Sequence, residues 1–76
     1  MIDSRIEFTM VSLAAMVIED RAKKYGKSQE KVFRDFRKSN TFNMLFDQES
    51  GLWQAGPDYI SDMYDTENAL HEMVLF

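Results

Sequence analysis

Apolar residues recur at helical spacing through the first third of the chain. Between residues 5 and 25, a stretch without proline or glycine, Ile6, Met10, Leu13 and Val17 fall on one line. Phe8, Val11, Ala15, Ile18 and Ala22 form a second line beside it. At about 100° per residue the combined apolar arc is roughly 220° wide, more than a surface helix needs. The pattern therefore predicts a central helix, touched on two sides. Thr9, Ser12, Glu19, Asp20 and Lys23 fill most of the remaining arc. Lys23 and Lys24 suit the negative end of the helix dipole, and Gly26 can take the left-handed conformation that closes a helix.

Ser28 then reads as an N-cap, although Lys31 stands where a capping box would place Glu or Gln. Val32, Phe33 and Phe36 supply the apolar face of a second helix over 29–39. Asn40 and Thr41 interrupt it. Phe42, Leu45 and Phe46, spaced i, i+3, i+4, predict another turn or two ending by Asp47, either a separate piece or the end of one bent helix.

The next stretch, SGLWQAGPDYI (50–60), holds the only tryptophan, the only proline and two of the three glycines. It reads as a reversal of direction followed by a helix start. Gly51 and Gly56 allow backbone angles that other residues resist, Pro57 suits a first helical turn, and Asp58 suits its positive end. Tyr59, Ile60, Met63 and Tyr64 continue as an amphipathic helix. Trp53 is read as a lid on a core too small to close by itself, or else as an interface anchor, because indoles are enriched at binding hot spots. The tail 66–76 carries Leu70, Met73, Val74, Leu75 and Phe76. It extends the last helix or restarts it after a break near Thr66, and it packs on the domain or on a partner. The expected fold is one small all-α domain over 1–76: a bundle of three main helices plus a short helical turn, the first helix central.

Size bears on what such a bundle can do. A chain of 76 residues buries only about 60% of the surface its unfolded form exposes, so its stability is marginal. It has no cysteine, which removes disulfides and thiolate zinc sites as staples. Self-association remains, and a homodimer burying Leu70, Val74 and Phe76 is expected. The apolar run 8–18 is shorter than the about 20 residues that cross a bilayer, and Asp3 and Glu7 stand where a signal peptide is positive. A cytoplasmic protein without a membrane partner is expected.

Candidate chemistry is sparse. His71 is the single histidine and nothing in the sequence orients a nucleophile beside it, so no catalytic residue is assigned and the chain is not read as an enzyme. DQESGLWQAGPD places Asp47, Glu49 and Asp58 at the first, third and twelfth positions of a calcium loop, but the glycine falls one position early and a ligand is missing. No phosphate-binding glycine motif is present. Neither a metal nor a cofactor is expected.

Charge order is more informative. Formal charge runs −3 over 1–20, +6 over 21–38 and −7 over 39–76. Lys31, Arg34 and Lys38 share one line of the second helix, and Asp58, Asp62 and Asp65 share one on the last. Three readings are open. The lines are solvated faces that attract each other within the fold, or a bipolar protein-binding surface, or a phosphate-binding stripe. An acidic chain of pI about 4.8 argues against nucleic acid, which leaves a nucleic-acid-binding regulator as the alternative to a protein-interaction module. Lys31, Arg34, Lys38 and Trp53 are the candidate partner-binding residues.

The apolar first helix, KVFRDF and LWQAGPDYISDMYD together resemble a family of short all-helical bacterial proteins classified only as a domain of unknown function. In that family a turn reading roughly Leu-His-Thr-Gln-Gly precedes Glu-Tyr-Ile and an acidic helix. Leu52, Gln54, Gly56, Tyr59, Ile60 and Asp62 can be laid on that pattern, and the likeness spans about 6–66. Trp53 stands where the family often has histidine, and the tail from Glu67 runs past the family's usual end. The resemblance implies an all-helical domain without established activity. It also implies gene neighbours similar to ADP-ribosyltransferase-type toxins, and with them an antitoxin-like or accessory role.

Overall fold

Side-chain caps divide the chain. In the computed structural model, which describes residues 3–74 and side chains as far as Leu70, Asp3 accepts the Arg5 backbone N–H at 2.8 Å and opens helix α1 (Ser4–Tyr25). Gly26 closes it in the left-handed conformation, φ 65°, while the Lys27 N–H returns to the Ala22 carbonyl at 3.0 Å. Ser28 then caps α2 (Gln29–Arg37), accepting from the Lys31 N–H at 3.1 Å. The Gly26 and Ser28 features follow the sequence expectation, and the Asp3 cap adds to it.

The second helix ends earlier than expected. Ser39 accepts the Phe42 N–H at 3.0 Å and donates to the Phe36 carbonyl at 2.6 Å, so one hydroxyl finishes α2 and starts α3 (Asn40–Leu45). Asn40 and Thr41 are accordingly the first turn of a new helix, not an interruption. A second device holds that turn from outside. The Glu67 carboxylate accepts the Asn40 N–H at 2.8 Å, the Thr41 N–H at 2.9 Å and the Thr41 hydroxyl at 2.8 Å. Two single 3-10 turns, Gln48–Ser50 and Leu52–Gln54, lead to α4 (Pro57–Val74), which runs on without a break at Thr66.

Among the described residues there is no strand, and three main helices with one short one make an all-α fold. The core takes side chains from every helix: Leu13, Ala14 and Val17 of α1, Phe36 of α2, Leu45 of α3, and Ile60 and Tyr64 of α4, closed by Leu52. Phe36 is its hub, meeting Tyr64 edge-on at 4.9 Å and Phe42 at 5.5 Å between ring centroids. Edge-to-face pairs of this kind add about 0.5–1.5 kcal/mol beyond burial.

Several expectations need correction here. Helix α1 is central and meets α2, α3 and α4, but its second apolar line is covered only in part: Met10, Leu13, Ala14, Val17, Arg21 and Ala22 are buried and Ile18 packs on the core, whereas Phe8, Val11 and Ala15 face solvent. Phe33 is 45% exposed and lies under the Arg37 guanidinium, 5.9 Å from the ring centroid, because α2 is narrow enough to bury only Val32 and Phe36. Gly51 takes the expected positive φ of 74°, but Gly56 does not. It precedes Pro57 and offers its carbonyl to the Ile60 N–H at 3.3 Å, an N-cap role glycine fills well. Leu70 is exposed on α4; the side chains of His71, Met73, Val74, Leu75 and Phe76 lie outside the described residues.

Candidate functional site

The uncovered line of α1 is the first candidate. Phe8, Val11 and Ala15 recur at i, i+3, i+7, with Phe8 74% and Val11 53% exposed. Buried Met10, Leu13, Ala14 and Val17 turn toward the core, which leaves the first three residues of the second line pointing outward, while Ile18 and Ala22 further along it are covered. Its flank carries Arg5 and Glu19. Arg5 has only a loose 3.7 Å contact to Asp3, and Glu19 a 3.6 Å contact to Lys23 one turn away.

The basic line of α2 is compensated on its own helix. Lys31 meets Asp35 at 3.4 Å and Arg34 meets Glu30 at 3.1 Å, both i,i+4 pairs. Lys38 is exposed at the C-cap of the same helix. The structure thus keeps Lys31, Arg34 and Lys38 on the surface but does not gather a block of positive charge.

Nor is the acidic line of α4 a solvated face. Asp58 and Asp62 are exposed, but Asp65 turns inward and accepts from three donors. These are Arg21 Nη1, the Tyr25 hydroxyl, and Lys24 Nζ at 2.9 Å. Arg21, only 8% exposed, also donates to Asp20 at 2.6 Å, and its Nε is buried without an acceptor among the described residues. Burial alone would raise the Asp65 carboxyl, but the bonds from Tyr25 and Lys24 and the charges of Arg21 and Lys24 override it and hold it below the usual range. Burial pulls the Arg21 guanidinium down, yet Asp20 and Asp65 carry it above its ordinary value. Burial and the bond to Asp65 raise the Tyr25 hydroxyl, against a smaller opposing effect of Asn68. Attraction within the fold is therefore real, and it joins α4 to α1, not to α2. Sequence reasoning missed this network. Its signal was an arginine at position 21, one turn past Val17 on the buried line.

Lys24, Tyr25 and Asp65 of this network line an open groove of about 1320 Å³ between the end of α1, α2, the start of α3 and the second half of α4. Tyr25, Val32, Tyr64 and Leu70 line it, with Lys27 and Lys38 among its charged residues. Among the described residues no three of His, Asp and Glu gather to hold a metal. In the calcium-like segment, Asp47 instead caps the first 3-10 turn by accepting the Glu49 N–H at 3.0 Å.

Trp53 lies half-buried against the core, beside Asp3, Arg5, Ile6 and Thr9 at the start of α1. Its indole N–H donates to the Gln48 carbonyl at 2.9 Å, which ties the two 3-10 turns together. The ring thus packs on the core while remaining only half covered.

The chain matches no known protein-family model, no curated protein and no solved structure. No helix among the described residues is long and apolar enough to cross a membrane.

Proposed function

We propose that the protein is a small, non-enzymatic protein-interaction module that binds through the uncovered face of α1. The observation that carries this reading is the exposure of Phe8, Val11 and Ala15 as one continuous line. Scattered exposed apolar residues are ordinary, but several in register on one helix face, rimmed by polar residues, suit an interaction site. The compensated line on α2 moves the binding surface away from Lys31 and Arg34, and leaves a phosphate-binding role without a concentrated basic patch. An antitoxin-like role, which the family resemblance implies, is one form such binding would take.

A photo-crosslinking phenylalanine analogue at Phe8, introduced in the cell that makes the protein, tests the reading. A discrete adduct is expected at position 8 and not at the exposed Asp62 position on α4. The same pattern at both positions, or no adduct at position 8, overturns it.

A further inference from the structure

We infer that the occupant of the α1 face is a second copy of the chain, its α1 laid antiparallel across the first. This rests on the reading of α1 as the binding surface. The uncovered line is self-complementary in size. With a two-fold axis beside Val11 and Ser12, the large Phe8 of each copy lies over the small Ala15 of the other, and the two Val11 side chains meet near the axis. The line is self-complementary in charge as well. The same axis brings Arg5 of one copy level with Ile18 and Glu19 of the other, on the flank where Arg5 and Glu19 both lie, so two Arg5–Glu19 pairs bracket the apolar contact.

The charges are available for this. Arg5 and Glu19 have only the long contacts to Asp3 and Lys23 already described, and exposed pairs of that kind contribute little and break easily. A parallel arrangement does the opposite. It carries the Arg5–Glu19 flanks of the two copies to opposite sides of the seam, where neither charge meets its counterpart, and it stacks Phe8 on Phe8 while leaving a gap between the two Ala15. Charge and size both choose the antiparallel form. The seam from Arg5 to Glu19 is about 21 Å long at about 1.5 Å per residue. A contact of that length lies at the low end of stable interfaces, so the dimer is weak, with Kd on the order of micromolar or above.

Sedimentation of the full chain from about 10 µM to about 1 mM, a range that brackets such affinities, should show a monomer–dimer equilibrium. Arg5→Glu or Glu19→Arg should each weaken it by about fivefold to tenfold, and the double reversal should restore it to within about twofold. Circular dichroism checks that each variant keeps its helix. A spin label at Ser4→Cys separates the two orientations, the chain having no other cysteine. Antiparallel helices place the two labels about 25 Å apart, parallel ones about 10 Å. A chain that stays monomeric throughout overturns the inference. So does a dimer with the short distance, or one in which the double reversal fails to restore affinity. A position-8 adduct with a different protein, in a chain that is monomeric alone, overturns the second copy while leaving the interaction module standing. No adduct at all removes both.

Discussion

Asp65 serves three donors from α1, and their loss should be unequal to the loss of its neighbour Asp20. Asp65→Asn leaves the buried Arg21 guanidinium with one carboxylate, and should cost about 2–3 kcal/mol, somewhat less than breaking a fully enclosed pair. Asp20 is largely exposed, so Asp20→Asn should cost no more than about 1 kcal/mol. Urea unfolding of the two variants checks this; equal losses would show that Arg21 is held by packing alone. The pH dependence has a definite sign. Because the folded carboxyl of Asp65 is depressed, its contribution is fully present above the unfolded value of about 3.9 and disappears as pH falls through the folded value. The acid limb of the wild-type stability curve should therefore be steeper than that of Asp65→Asn below about pH 4. Trp53 belongs to the same scale. Its half-buried ring makes Trp53→Ala worth about 2 kcal/mol, less than the about 3–5 kcal/mol of a fully enclosed indole.

At the scale of an element, α3 is the dependent one. Six residues cannot hold a helix by themselves, and Ser39 with Glu67 supplies what propensity does not. Glu67→Ala should speed amide hydrogen exchange at Asn40, Thr41 and their successors in α3, while the amides of α1 keep their protection relative to global stability. Unchanged exchange at Asn40 and Thr41 would show that the carboxylate is not their support. This contrast also marks what could be read from the sequence. Gly26, Ser28 and Pro57 act on backbone within a few residues, so their roles were visible in local order. Glu67 acts across 27 positions and Asp65 across 44 from Arg21, and nothing local announces such a partner. The wide apolar arc of α1 was legible too, but periodicity counts apolar positions without saying what covers them. Arc width alone does not separate a helix buried on two sides from one that keeps a face for something else. The proposed site fell into that gap, whereas the charge of Lys31 and Arg34 stands out along α2 although Asp35 and Glu30, one turn away, compensate it.

Over the whole molecule, one core joins all four α-helices, and the long axis of 40 Å follows from helices α1 and α4. With no second core cluster among the described residues, unfolding should be a single transition. The lone Trp53 reports the 3-10 segment where it packs on the start of α1, and far-ultraviolet dichroism reports all the helices. The two denaturation curves should coincide. A fluorescence change that precedes loss of helix would mean that the 3-10 segment opens as its own unit.

Gly26 ends α1 with φ 65°, and a side chain placed there would meet nothing within 4 Å. The position is therefore selective for handedness and indifferent to bulk. An L-alanine at 26 fits the space yet strains the backbone, and should destabilise by about 1 kcal/mol. Its mirror image, D-alanine, has this conformation as its natural one and restricts the unfolded chain, so it should stabilise by about 0.4–1 kcal/mol. Chemical ligation gives access to a chain of this length, and paired melts of the two diastereomers would read the difference directly. Gly51, at φ 74° with equally open surroundings, should repeat the result, and Gly56, whose φ is not positive, should lack it.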